Sequence, residues 1–218
     1  MMQLREAMNG RPVVAVLRAP DANRFVAAST VMVEAGIPAV EFTLTSAGAF
    51  DALRQARKVL PPEVLIGAGT VRTVEQVRQA VDAGASFLVS QVTDPDVIEA
   101  AHTLGVPFIP GALTPNEIVR AWQYGVQAVK VSPIGPVGGV SYLAELVGPL
   151  PEIPLVPTGR VLIEEAGAYL AAGAAIVGVS RDLVRDALLP DGDLIALAER
   201  AVRTIHSLDS YALTSGAQ

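Results

Sequence analysis

Eight times along this chain a short apolar run rich in β-branched residues gives way to an alanine-rich segment with apolar positions three and four apart. The apolar runs fall at 13–18, 39–44, 65–70, 87–90, 108–112, 128–133, 155–159 and 176–180. Helical spacing holds over 22–35, 49–59, 74–83, 95–104, 115–124, 140–147 and 163–172. A last helix fits 194–205, after a short one near 183–187. Capping oxygens mark the starts at Asp21, Thr73, Asp94 before Pro95, and Thr114 before Pro115. Gly36, Gly84, Gly105, Gly125 and Gly173 follow helical stretches, which suits left-handed C-caps.

An unbroken strand–helix series of this kind predicts an α/β protein of one domain, a (β/α)8 TIM barrel. A doubly wound sheet is the competitor, but no Gly-x-Gly-x-x-Gly opens the first helix. At 218 residues and 51% hydrophobic, the chain has apolar material for one such core. We assign the barrel to 1–208 and a disordered, small and polar tail to 209–218. Residues 1–9 are assigned a short helix that closes the barrel's N-terminal end.

Charge and composition narrow the partners. A formal net charge of −6 argues against a nucleic-acid surface. With no cysteine there is no disulfide, thiolate nucleophile or cysteine-ligated metal. His102 and His206 stand too far apart to suggest a histidine zinc site. The start, Met1-Met2-Gln3-Leu4-Arg5-Glu6, lacks a signal peptide's apolar core. No apolar stretch reaches the roughly 18 residues of a membrane span. The expectation is a soluble, cytoplasmic protein with neither nucleic-acid nor membrane partners.

Two lysines stand against fourteen arginines. Lys58, in Arg54-Gln55-Ala56-Arg57-Lys58, reads as the solvated end of a helix. Lys130 instead interrupts the apolar run Ala128-Val129-Lys130-Val131-Ser132-Pro133. Arginine stays protonated at any pH a protein meets, whereas a lysine among apolar neighbours can act as a nucleophilic amine and form Schiff bases with carbonyl substrates. The alternative is a packed stem whose ammonium reaches water.

Side chains alternate along a strand, so apolar neighbours assign the faces. In Val40-Glu41-Phe42-Thr43-Leu44-Thr45, Glu41, Thr43 and Thr45 turn to the barrel interior; in the later run, Lys130 and Ser132 do. Glu41 and Lys130 thus share one interior, as catalytic groups or as a structural ion pair. Arg18, Thr70, Ser90 with Gln91, and Thr158 end other strands. Arg18, Thr70 and Thr158 are suitable types to hold the carboxylate of a carbonyl acid.

On these residues the chain resembles the class I 2-keto-3-deoxy-6-phosphogluconate (KDPG) aldolases, which also cleave 4-hydroxy-2-oxoglutarate. The resemblance runs from 13 to about 187. It is carried by Val14-Ala15-Val16-Leu17-Arg18, Val40-Glu41-Phe42-Thr43-Leu44 and Ile66-Gly67-Ala68-Gly69-Thr70-Val71. Ile109-Pro110-Gly111-Ala112-Leu113-Thr114-Pro115, Val129-Lys130-Val131-Ser132-Pro133 and Val156-Pro157-Thr158-Gly159 extend it. The resemblance implies a homotrimeric barrel of Entner–Doudoroff-type sugar-acid metabolism. Lys130 would form a Schiff base with pyruvate and Glu41 would be the acid/base. The implied substrate-binding positions are Arg18, Thr43, Thr70, Pro110, Thr158, Gly159, Arg160, Ser180 and Arg181. No metal or organic cofactor is implied.

Departures from the family pattern cluster. Ser132 stands where many members carry Phe, and Gln91 where the family commonly has Pro. Thr45 occupies a position where one branch has Arg. Thr158-Gly159-Arg160 replaces the usual Thr-Gly-Gly, and Val179-Ser180-Arg181 the usual Gly-Ser ending. The last two loops form the usual phosphate site of such barrels. Arg160 and Arg181 either bind a phosphate through their guanidinium forks, fill the pocket of an enzyme for unphosphorylated 2-keto acids, or face solvent. Two further readings stand beside the aldolase: a phosphosugar isomerase or epimerase with Glu41 as base, and a catalytically degenerate barrel that binds a sugar acid.

Overall fold

A computed structural model describes residues 4–215, with side chains described as far as residue 211. The strands are β1 (Val13–Leu17), β2 (Ala39–Thr43), β3 (Leu65–Gly69), β4 (Phe87–Val89), β5 (Phe108–Ile109), β6 (Gly111–Ala112), β7 (Val129–Val131), β8 (Leu155–Pro157) and β9 (Val177–Val179). The helices are α1 (Phe25–Glu34), α2 (Ala49–Val59), α3 (Val74–Asp82), α4 (Pro95–Thr103), α5 (Pro115–Trp122), α6 (Gly139–Val147), α7 (Ala166–Ala171), α8 (Arg181–Val184) and α9 (Leu194–Ser215).

All pairings are parallel, in a six-stranded sheet ordered β5-β4-β3-β2-β1-β9 and a three-stranded sheet ordered β6-β7-β8. The expected fifth strand, 108–112, is divided at Pro110, which has no N–H for a ladder. Its carbonyl still accepts from the Lys130 N–H at 2.8 Å. At the far edges a Thr158–Gly178 bridge and an Ala175 N–H to Leu155 carbonyl bond of 2.9 Å bring β8 against β9. The architecture is therefore a curled parallel sheet in two segments, with a helix between successive strands except β5 and β6.

The caps follow local chemistry in three of the four expected places. Thr73 accepts from Gln76 N–H, Asp94 from Asp96 and Val97, and Thr114 forms a reciprocal capping box with Glu117. Asp21 is the exception: it accepts from the Asn23 N–H at 3.1 Å in a turn, and α1 starts only at Phe25. The segment 163–172 opens as a 3-10 turn, Ile163–Glu165, before α7 begins. At the other end α9 continues past 205 through Ser215, so the backbone of 209–215 is helical. Buried Leu208 and an Arg11–Asp209 ion pair of 3.1 Å hold this extension on the body of the protein. Residues 216–218 and 1–3 lie outside the described residues. Glu6–Met8 form one 3-10 turn, which carries Leu4 and Met8 into the sheet interior. Among the described residues no helix is long and apolar enough to cross a membrane.

Every residue of β1 and β2 is buried, as parallel strands covered on both faces require. Alternation then sorts them into two cores. Val13, Ala15, Leu17, Val40, Phe42, Val129 and Val131 pack under the helices. Val14, Val16, Phe87, Val89, Ile109, Val156 and Ile176 meet Leu4 and Met8 in the interior and form its apolar floor. Phe87 has room there because its register partner is Gly67, where an added Cβ would run into the Phe87 ring. Phe87→Ala should therefore lower stability by about 3–5 kcal/mol in denaturant unfolding, the usual cost of emptying an aromatic site in a core. A loss below about 1 kcal/mol would contradict this account of the floor.

Candidate active site

Above the apolar floor, the interior face carries polar residues. Glu41 lies between Val16 and Gly67 in register and is 3% exposed. Lys130 lies between Gly111 and Val156 and is 4% exposed. Both have the parity of the interior cluster, as the alternation of their strands predicts. Among the described residues no ion pair joins them within 4.0 Å, so the static salt bridge entertained from sequence is not formed.

Glu41 Oε1 is buried without a hydrogen-bond partner. Burial raises its pKa above the ordinary 4.5, while the positive charges of Lys130 and Arg18 pull it back down. Space for the carboxylate comes from Gly69, where an added Cβ would collide with it. Gly67 in the same way leaves the space that the Phe87 ring fills.

A second group gathers at the strand ends. Arg18, exposed just beyond β1, donates from Nη2 to Thr70 Oγ1 at 3.1 Å. Thr70 is 8% exposed and held at φ +61°, a left-handed backbone that β-branched residues rarely adopt. Thr43 is fully buried and shares a 3.3 Å contact with the Ser46 hydroxyl, which also accepts from the Ala19 N–H. Ser46 was missed from sequence because it lies past the strand, where no periodicity points inward. Thr158, 6% exposed, lies against Gly178, and Ser180 donates to the Val16 carbonyl at 3.0 Å.

The remaining expected positions scatter. Pro110 serves through its backbone, as the acceptor for Lys130 N–H. Gly159 has φ +92° and packs against Pro133 and Ser132. Arg160 is exposed at φ +58°, with its Cβ close to Gly135, and lines a separate cavity of about 630 Å³ beside Glu165 and Tyr169. Arg181 is exposed at the start of α8. Among the described residues no group of three or more His, Asp or Glu side chains could hold a metal ion.

A carboxyl that holds its proton more tightly when folded stabilises the protein below the ordinary 4.5 and loses that contribution as pH rises through its folded value. Wild-type stability is therefore expected to fall with pH above about 4.5, and Glu41→Gln to be the more stable form at pH 7 with that slope removed. Equal slopes in denaturant titrations of the two proteins would refute the burial account.

Comparison with known proteins agrees with the geometry. The family model of the KDPG and KHG aldolases matches residues 4–199. The 2-dehydro-3-deoxy-phosphogluconate aldolase of Treponema pallidum is 38% identical over 162 residues, covering 73% of this chain and 74% of its own. The 4-hydroxy-2-oxoglutarate/2-dehydro-3-deoxyphosphogluconate aldolase from TTHB1 superposes with a TM-score of 0.81 at 31% identity, over 94% of this chain and 98% of that one. The KDPG aldolase of Legionella pneumophila, solved with pyruvate captured as a covalent carbinolamine, has a TM-score of 0.82 at 25% identity, over 92% and 97%. A buried lysine and a buried carboxylate on one interior face, within a match of this extent, make this chain a member of the KDPG and KHG aldolase family.

Proposed function

We propose that the protein is a Schiff-base (class I) aldolase that cleaves a 2-keto-3-deoxy sugar acid or a related 4-hydroxy-2-oxo acid to pyruvate and an aldehyde. Glyceraldehyde 3-phosphate and glyoxylate are the two aldehydes this class of substrate would release. The observation that carries the proposal is the pairing of Lys130 with Glu41: an amine and an under-bonded carboxyl in one water-poor interior. Family membership supports the same chemistry and displaces the isomerase reading, which has no use for a lysine on β7.

In this reading the unprotonated Lys130 amine attacks the C2 ketone and the proton moves from nitrogen to the new hydroxyl. Glu41, which burial biases to the protonated form, gives its proton as that hydroxyl leaves as water. The iminium now draws electrons from the C3–C4 bond. Glu41, left as a carboxylate, takes the C4 hydroxyl proton while the aldehyde departs. It returns the proton to C3 of the enamine, and water then hydrolyses the imine to free pyruvate and Lys130. Arg18 and Thr70, already hydrogen-bonded to each other, hold the substrate carboxylate with Thr158. Thr43, Pro110 and Gly159 shape the pocket.

The same proposal takes the two sheet segments as one closed (β/α)8 barrel, a single domain over 1–208, assembled as a homotrimer in the cytoplasm and serving Entner–Doudoroff-type metabolism. The Thr158–Gly178 bridge supports closure. In this reading Ser180, Arg160 and Arg181 are the groups assigned to the substrate's distal end, Arg160 from the separate cavity that it lines.

Incubation with pyruvate and borohydride, followed by intact mass, should show one reduced pyruvyl adduct on the wild type and none on Lys130→Ala or Lys130→Arg. An adduct surviving in Lys130→Ala would overturn the assignment. Glu41→Gln should lower kcat by about 10²–10⁴-fold, the range for loss of a positioned acid/base. For the rim arginines, phosphorylated substrate should be cleaved faster than its unphosphorylated counterpart, with the advantage reduced in Arg160→Ala; equal wild-type rates would exclude a phosphate role.

A further inference from the structure

Arg18 and Thr70 meet across a strand that lies between them. Phe42 of β2 is the register partner of both Leu17, one residue before Arg18, and Ala68, two before Thr70. The Arg18 side chain therefore crosses the end of β2, over roughly two strand spacings or about 10 Å. Its tip is held by Thr70 Oγ1 at 3.1 Å. Because Arg18 is exposed, no core packing fixes its stem, and the backbone that carries it sets the direction it takes. Ser46 holds that backbone. Its side chain is buried, at 3% exposure, and its Oγ accepts from the N–H of Ala19, the first amide after Arg18, at 3.2 Å. Ser46 is fixed in turn by its own N–H, which donates to the Thr43 carbonyl at 3.1 Å, and by the 3.3 Å contact between the Thr43 and Ser46 hydroxyls. Further along, Ala47 N–H donates to the Pro20 carbonyl at 3.0 Å and Ala22 N–H to the Ala47 carbonyl at 2.9 Å. Those two bonds close the loop behind Ala19, whereas the Ser46 bond grips the chain next to Arg18.

We infer that Ser46 is a positioning residue: through the Ala19 amide it aims Arg18 across β2, so that the guanidinium stands ready beside Thr70 for the carboxylate of a 2-keto acid. This rests on the aldolase reading, in which Arg18 and Thr70 hold that carboxylate. Ser46 acts through another residue and needs no contact with substrate. Without its hydroxyl the Ala19 amide loses its acceptor and the Arg18 stem is free to swing. Ordering a long side chain is then added to the cost of binding. The groups that make and break bonds, Lys130 and Glu41, keep their own surroundings. The effect therefore falls on the concentration of keto acid required and leaves the saturated rate in place.

The test is a double-mutant cycle read by borohydride capture of pyruvate at a series of pyruvate concentrations, which yields a half-saturating concentration and a limiting rate for each protein. Ser46→Ala should raise the half-saturating concentration by about three- to tenfold, the scale of one lost hydrogen bond, with the limiting rate within about twofold of wild type. Arg18→Met should raise it as well. Ser46→Ala added to Arg18→Met should then change nothing further, because the residue it aims is gone. The same fold-change in both backgrounds, a loss confined to the limiting rate, or an unchanged half-saturating concentration in Ser46→Ala would overturn the inference and leave Ser46 a structural residue. Should Ser46→Ala fail to fold, Ser46→Cys keeps a side chain of similar shape with only a weak acceptor and carries the comparison. Capture on the wild type separates the two levels. Capture with an additive cycle overturns the positioning role alone, whereas no capture at any pyruvate concentration overturns the aldolase reading and this inference with it.

Discussion

A carboxylate with one oxygen sealed from water and unpaired is the interaction around which the interior is arranged. Taking a charged carboxyl out of water costs several kcal/mol even after the protein relaxes. For Glu41 that cost is offset only in part, by the nearby charges of Lys130 and Arg18. Neither forms a close ion pair with it, so the group remains responsive: protonated when its surroundings are neutral, ionised when positive charge develops beside it. A fully paired carboxylate would be more comfortable and less able to move a proton.

Small residues make this tolerable. Gly69 leaves the volume that the carboxyl fills, and Gly67 leaves the volume that Phe87 fills one level across the sheet. Phe87 belongs with Leu4 and Met8 to the apolar floor, which closes the interior below the reacting groups. The polar side chains gather on the opposite, strand-end side, where Thr43, Thr70, Thr158 and Ser132 are found. The division into dry floor and polar mouth follows from parallel pairing, since all strands deliver their C-terminal ends to the same side.

Much of this was legible before any coordinates. Strand and helix periods are local, and so are the caps at Thr73, Asp94 and Thr114, where hydroxyl or carboxylate and amide are within three residues of each other. The inward parity of Glu41 and Lys130 needed only their apolar neighbours. Local logic failed where two local outcomes compete: Asp21 closes a turn instead of capping α1, and Pro110 splits a strand whose pattern looked continuous. The extension of α9 through Ser215 was not visible either, because Asp209 is drawn in by Arg11, almost two hundred residues away in the chain, and Leu208 is buried in the core.

The amino-acid sequence alone determined the alternating elements, the faces they present and the residue types available for proton and imine chemistry, because each depends on spacing within a few residues. Tertiary structure alone decided which groups meet. Arg18 finds Thr70 across 52 residues and Gln91 finds Ser132 across 41. Glycine at 67 and 69 admits a neighbouring side chain, the Phe87 ring and the Glu41 carboxyl. Those outcomes depend on strand register and on clearance between backbones of roughly 5 Å separation, quantities that no local pattern of residues encodes.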